Sequence, residues 1–129
     1  VNKYVRKYSD IENCISYDVM KYMVKNALSR YIVQKGKCAV THNALSISDM
    51  VCVHIKPCKG ERNDTYRNLI ILSKAVSEVV RATNPEKIRK LLTDLDLTEE
   101  WDYMRIEMKE KINKLRVCRN LKEIQFKTI

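Results

Sequence analysis

Histidine and cysteine, the side chains that most often bind metal ions or activate nucleophiles, are concentrated in one part of this sequence. Cys38, His42, Cys52 and Cys58 follow one another at the spacing C-x3-H-x9-C-x5-C, and His54 lies among them. A structural zinc ion is normally held by closer pairs such as C-x2-C. Although their spacing is wider, Cys38, His42, Cys52 and Cys58 define a candidate zinc site. The alternative is two buried thiols beside two exposed polar side chains.

The cysteine count also bears on the cellular compartment. The sequence contains five cysteines, an odd number, and its first residues are not followed by the apolar run that a secretory signal requires. We therefore expect reduced thiols in an intracellular protein. Because the first residue, Val1, is not a methionine, we also expect the sequence to be a fragment of a longer protein.

The overall composition predicts a folded domain that is largely helical. A chain of 129 residues with 45% hydrophobic residues can bury a core, and two glycines and two prolines are too few for a loop-rich β-sandwich. No apolar stretch approaches the roughly 18 residues that a membrane span needs. The 25 Lys and Arg residues outnumber the 16 Asp and Glu residues, giving a net charge of +9. This excess indicates a polyanionic partner, either a nucleic acid or an acidic membrane surface.

The residues that could do chemistry lie between predicted helices. The capping pair Ser9 and Glu12 begins a helix that continues to about Gln34 and is stopped by Gly36. Residues 37–60 consist of short segments rich in branched side chains and separated by turns, which indicates two or three strands.

Helical patterns return after these strands. Residues 74–82 form one such pattern, Asn84 caps a second helix and Thr98 caps a third. The apolar face predicted for the third helix consists of Trp101, Met104, Met108, Ile112 and Leu115. We divide this single compact domain into an N-terminal helical run-in (1–36), a core (37–83) and C-terminal helices (84–129).

Three motifs in this order resemble a known family, the HNH-type domain at the C-terminus of group II intron-encoded reverse transcriptases (maturases). They are Gly36-Lys37-Cys38, then Cys52-Val53-His54-Ile55-Lys56-Pro57, then Asp64-Thr65-Tyr66-Arg67-Asn68-Leu69. In that family a Gly-Lys-Cys turn leads into a hairpin that ends in a His-His pair and Lys-Pro. A loop with an Asn-Leu pair follows, and then a helix with further histidines. The likeness covers about residues 15–125 and implies an α+β fold with a ββα-metal core and flanking helices.

The resemblance also assigns roles, and several essential residues have changed. By position His54 corresponds to the general base and Asn68 to the asparagine of the loop. Val53, Ser77 and Arg81 stand where the family has metal-binding histidines. Valine cannot bind a metal ion, serine does so poorly, and the guanidinium of arginine stays cationic. We therefore expect a degenerate domain without nuclease activity, in which His54 is a satisfied polar residue at a strand end and Asn68 holds its loop.

Basic residues around the predicted hairpin suggest binding without chemistry. They are Lys35, Lys37, Lys56, Lys59, Arg62, Arg67 and Arg81. Such a set can contact the phosphate backbone of a nucleic acid. The alternative is an ordinary solvated basic face.

Three functions remain open at this stage. The first is a nucleic-acid-binding domain, derived from a maturase, that contacts the backbone of RNA or DNA. The second is an active metal-dependent DNA-nicking endonuclease with His54 as base and with Asp49, Asp64 or His42 as replacement ligands. The third is a structural component of a ribonucleoprotein such as an organellar ribosome. The expected partners are a nucleic acid and either other ribonucleoprotein subunits or a parent polymerase domain, in a bacterial cytoplasm, a mitochondrion or a chloroplast, with no membrane.

Overall fold

The α+β fold class is confirmed by a computed structural model, which describes residues 17–57, 63–97 and 103–126. In these residues the helices are α1 (Tyr17–Val33), α2 (Lys74–Arg81), α3 (Pro85–Asp94) and α4 (Tyr103–Cys118). The strands are β1 (Met50–His54) and β2 (Leu69–Ser73), and a 3-10 turn, Tyr66–Asn68, leads into β2. None of the helices in the described ranges combines the length and apolarity needed to cross a membrane.

Helix α1 ends where the sequence predicts, just before Gly36. Lys35 and Gly36 both have positive φ angles, 58° and 68°, and the Gly36 N–H donates to the carbonyl of Tyr31 over 2.9 Å. This bond marks the Schellman termination of a helix, and the left-handed backbone of Gly36 costs little because glycine has no Cβ atom. The predicted start of the helix, at Ser9 and Glu12, lies outside the described residues.

The sheet is an antiparallel pair of five-residue strands. Met50 lies opposite Ser73 and His54 lies opposite Leu69. The prediction of two or three strands within residues 37–60 was wrong: in the described part of that segment only β1 forms, with one isolated bridge between Lys37 and Ala44. Its partner β2 lies outside that segment, after the connection between the two strands.

The outer edge of β2 is covered by the chain that follows α1. The Gln34 side chain donates to the carbonyl of Ile71 over 3.0 Å and accepts from its N–H over 3.1 Å. The N–H of Ala39 donates to the same carbonyl over 3.0 Å. These hydrogen bonds satisfy backbone N–H and carbonyl groups that an edge strand would otherwise expose to another chain.

Apolar residues form two clusters, one on each face of the sheet. The cluster beneath α1 contains Val24, Ala27, Met50, Cys52, Leu69 and Ile71. The larger cluster joins the sheet to α2, α3 and α4 and includes Leu72, Val76, Val79, Leu91, Leu97, Ile112 and Leu115. Because side chains alternate along a strand, each strand contributes to both clusters. The core therefore combines residues from the predicted segments 37–83 and 84–129.

Two C-terminal predictions have different outcomes. The start of α3 is confirmed, because the Asn84 side chain accepts from the N–H groups of Glu86 and Lys87. Of the apolar face predicted for the last helix, Ile112 and Leu115 are buried as expected, but Met104 is 55% exposed. Trp101 and the predicted cap Thr98 lie outside the described residues. The helix also buries Lys109 and Arg116.

Arg116 is the cation that joins α4 to the end of α2. Its Nη1 donates to the carbonyls of Val79 and Ala82 over 2.8 and 2.7 Å, and its Nε donates to the carbonyl of Lys122 over 2.8 Å. Only 4% of the residue is exposed, and burial lowers the pKa of its guanidinium. Since the last carbonyls of a helix lack partners within it, Arg116 acts as a cap supplied from another element.

Replacing Arg116 by methionine should destabilise the protein strongly. The Arg116→Met variant keeps the apolar stem but leaves buried carbonyls without donors, and we expect the free energy of unfolding to fall by about 3 kcal/mol. Urea denaturation followed by circular dichroism measures this loss. Lys114→Met, an exposed change on the same helix, should cost under about 0.5 kcal/mol. Equal stabilities of the two variants would contradict the capping role.

Candidate functional site

His54, the last residue of β1, is paired with a carboxylate on the side of the sheet that α1 covers. Its Nε2 lies 2.7 Å from Oδ1 of Asp64, and the two side chains are only 11% and 4% exposed. The Asp64 carbonyl accepts from the Asn26 side chain of α1 over 2.9 Å. This geometry confirms the prediction of a satisfied polar residue at a strand end.

Asn68 ties together the two ends of the connection between the strands. Its Oδ1 accepts from the N–H of Lys56 over 2.9 Å, and its Nδ2 donates to the carbonyls of Lys56 and Asn63 over 3.1 and 2.9 Å. The residue is 7% exposed. The predicted role of Asn68 in holding the loop is confirmed.

The Asn68→Asp variant should therefore destabilise the loop and the hairpin. A carboxylate keeps the acceptor for Lys56 but loses both donated hydrogen bonds, so we expect a loss of about 2 kcal/mol in the free energy of unfolding. Urea denaturation measures it, with the exposed Asn43→Asp as the matched control. If both variants unfolded at the same urea concentration, the bonds of Asn68 would not be needed for stability.

A groove of about 550 Å³ runs between β1 and α2. Val51 and Asp49 line one wall, and Lys74, Ser77, Glu78 and Arg81 line the other. The four helix residues share one side of α2 because they are three or four positions apart. This groove lies on the face of the sheet opposite to the one that carries His54.

Two of the three positions that the resemblance relates to metal ligands line this groove, and the third, Val53, packs against the apolar cluster on the same side of the sheet. Val53 lies on the same face of β1 as Val51, since it is two residues further along the strand. Ser77 and Arg81 line the opposite wall. The hydroxyl of Ser77 donates to the carbonyl of Lys74 over 2.9 Å. An alkyl group, a bonded hydroxyl and a cation do not fit a divalent metal ion.

The candidate zinc ligands are separated in the structure. Cys38 is buried in the cluster on the α2 side of the sheet, and Cys52 is buried in the cluster on the α1 side. His42 is exposed, and Cys58 lies outside the described residues. Within the ranges that the structure describes, no group of three or more His, Cys, Asp or Glu residues could hold a metal ion.

Cys38 is instead surrounded by hydrogen-bond donors. The N–H of Ser73 donates to its Sγ over 3.3 Å. Burial raises the pKa of the Cys38 thiol, but hydrogen bonds from Thr41, Ser73 and Val40 outweigh burial and hold that pKa below its usual range. At 1% exposure the thiol is closed to solvent, so these donors stabilise the turn that it occupies and do not create a reactive site.

The predicted basic residues surround the hairpin at several points. Lys35 and Lys37 lie beside the outer edge of β2, Lys56 and Arg67 flank Asn68 at the loop end, and Arg81 ends α2. All five are exposed. Lys59 and Arg62 lie outside the described residues. The described cations are therefore available to solvent.

Arg119, which the sequence analysis did not single out, contacts the end of β1. Its guanidinium donates to the carbonyls of His54, Ile55 and Leu115. Burial lowers its pKa, and the positive charge of Arg81 lowers it further against an opposing effect of Cys118. Basic residues at a helix C-terminus are common because they complement the helix dipole, so the sequence carries no signal for this contact.

Comparison of the chain with protein-family models, curated proteins and solved structures yielded no match. The assignment of function therefore depends on the geometry of the hairpin, the groove and the basic residues.

Proposed function

We propose that this protein binds the phosphate backbone of a nucleic acid without cutting it, as a degenerate HNH-like domain derived from a group II intron maturase. The observation that carries the proposal is the order β1–β2–α2, in which Ser77 and Arg81 line one groove and Val53 lies on the same side of the sheet. These are the positions at which the resemblance expects metal ligands.

The arrangement of His54 argues against hydrolysis. A metal-dependent nuclease needs a base that reaches the attacking water and a cation that stabilises the charge on the same phosphate. Here the imidazole of His54 contacts Asp64 on the α1 side of the sheet, whereas Ser77 and Arg81 border the groove on the other side. A base at His54 and a cation in the groove therefore cannot act on one phosphate.

Binding requires only accessible positive charge near the nucleic acid. Lys35, Lys37, Lys56, Arg67 and Arg81 are exposed around the hairpin. Each Lys or Arg that neutralises a phosphate releases condensed counterions, which favours binding at low salt. A net charge of +9 adds long-range attraction to any polyanion.

Binding should depend strongly on salt and on the loop-end cations. We expect fluorescence anisotropy with a labelled RNA hairpin and a labelled DNA duplex to show log K falling linearly with log salt. The double variant Lys56→Gln/Arg67→Gln should reduce the slope of log K against log salt by up to about two, which is about one for each lost phosphate contact. The control Lys87→Gln/Arg89→Gln removes the same charges from exposed positions of α3 and should leave the steepness unchanged.

Two results would contradict this proposal. The first is an absence of affinity for both probes at low salt. The second is nicking of supercoiled plasmid with Mg²⁺ or Mn²⁺ that disappears in His54→Ala, which would support the endonuclease alternative instead.

Restoring three histidines tests the HNH-like architecture itself. In Val53→His/Ser77→His/Arg81→His, the imidazoles from β1 and α2 would lie on the same side of the sheet, and we expect Zn²⁺ to bind at least about tenfold tighter than to Ser77→His/Arg81→His. Isothermal titration calorimetry gives the affinities, and circular dichroism checks that both variants are folded. Val53→His/Arg81→His provides a second comparison in which the buried Ser77 is kept. Folded variants with no gain from the histidine at position 53 would refute the proposed architecture.

A further inference from the structure

An arginine of α1 lies against an aromatic ring at the loop end of the hairpin. The guanidinium carbon of Arg30 is 5.1 Å from the ring centre of Tyr66, which is within the range of a cation–π contact. Both residues are partly buried. The Nε of Arg30 is buried and has no hydrogen-bond acceptor among the described residues. The ring of Tyr66 therefore positions this guanidinium.

Hydrogen bonds before and after the ring fix the pair. Asn26, one helical turn before Arg30, donates to the carbonyl of Asp64 over 2.9 Å, and this bond holds the chain that leads to Tyr66 against α1. Asn68, two residues after the ring, is bonded to both ends of the connection between the strands. The ring and the guanidinium are therefore in place before a ligand arrives, which lowers the entropy lost on binding.

Positive charge lies next to the pair. Arg67 directly follows Tyr66, Lys56 lies at the other end of the connection, and both are exposed. Within the described ranges neither cation takes part in an ion pair. The carboxylate of Asp64 is only 4% exposed and contacts His54 instead. An aromatic ring beside unpaired cations is typical of surfaces that bind single-stranded nucleic acids, because a base stacks on the ring while phosphates contact the cations.

A second exposed ring extends this surface along α1. Tyr22 is 51% exposed and lies two helical turns before Arg30, about 12 Å away at the helical rise of about 1.5 Å per residue. Because Tyr22, Asn26 and Arg30 are four positions apart, they share one side of the helix. The side of α1 that contacts the loop therefore carries two aromatic rings, its own and that of Tyr66.

We propose that the Arg30–Tyr66 pair binds an unpaired base of a nucleic acid by stacking, while Arg67 and Lys56 contact the neighbouring phosphates. This inference rests on the proposed function and adds the class of target, which is an unpaired strand of RNA or DNA. A phenol ring and a guanidinium plane both stack with bases. In a duplex the faces of the bases are covered by their neighbours, so a duplex offers only phosphates to this surface.

A preference for unpaired strands separates stacking from phosphate contacts alone. A duplex has about twice the charge density of a single strand, so phosphate contacts alone favour the duplex. We expect a short labelled RNA strand and a DNA strand of the same sequence to bind at least about fivefold tighter than their duplexes at low salt. Fluorescence anisotropy measures the affinities. The strand that binds more tightly identifies which nucleic acid supplies the base.

Three variants test the ring of Tyr66. Tyr66→Leu should weaken binding of the single strands by about tenfold but leave the slope of log K against log salt unchanged, because no phosphate contact is lost. Tyr66→Phe keeps the ring and should bind within about twofold of the wild-type protein. Tyr103→Leu makes the same change at a ring that is 80% exposed at the start of α4, and it should also be within about twofold. Circular dichroism checks that each variant is folded.

Stacking itself is observed with the wild-type protein. In NMR spectra of the complex with the single strand, the ring protons of Tyr66 should move upfield and show nuclear Overhauser effects to base protons. The spectrum of Tyr66→Phe assigns these signals. This measurement does not depend on the stability of Tyr66→Leu.

The outcomes separate this inference from the proposed function. If the wild-type protein binds neither single strands nor duplexes at low salt, both fail. If it binds duplexes as tightly as single strands, or if Tyr66→Leu matches Tyr103→Leu, only the inference about the unpaired base fails. If the affinities are as expected but no Overhauser effect joins Tyr66 to a base, the base does not stack there and the inference also fails.

Discussion

The position of α2 depends on the buried guanidinium of Arg116. A helix of eight residues is too short to be stable alone, because nucleation is costly and few bonds follow it. Ser73 caps its start through Val76, and Arg116 binds the carbonyls of Val79 and Ala82 at its end. With both ends capped, the helix can bury Val76, Val79 and Val80 against α4 and hold its polar side along the groove.

The alternation of side chains along β1 then separates the polar functions. Cys52 and His54 point to the side of α1, and Val51 and Val53 point to the side of α2. A side chain on one face and a group bound in the groove on the other face cannot act on the same substrate atom. The pleat of a single five-residue strand therefore separates His54, which serves the fold, from the residues that line the groove.

Local signals could be predicted from the sequence because their physical cause is local. The stop at Gly36 and the cap at Asn84 each involve bonds within five residues. The pairing of β1 with β2 could not be predicted in this way, because it joins residues across a long connection. Residues 37–49 also contain branched side chains, and this composition led to the wrong prediction of further strands. The structural roles of His54 and Asn68 could be predicted from their residue types, because a polar side chain at a strand end or in a loop finds hydrogen-bond partners in the adjacent connection.

The arginine contacts could not be predicted, since a solvated and a buried arginine have the same helical pattern. Arg116 binds carbonyls 34 and 37 residues away, and Arg119 binds one 65 residues away. These contacts exist only after folding brings the elements together.

These contacts change what the net charge of +9 means. Arg116 and Lys109 are buried, the Lys111 ammonium donates to the carbonyl of Ala39, and Arg119 is held by carbonyls of the hairpin. Several of the positive charges thus hold the protein together and cannot approach a phosphate without breaking it. The number of counterions released on binding a nucleic acid therefore reflects the exposed cations that contact phosphates and not the net charge of the sequence. The location of a cation in the fold, more than the total charge, decides whether it contributes to binding.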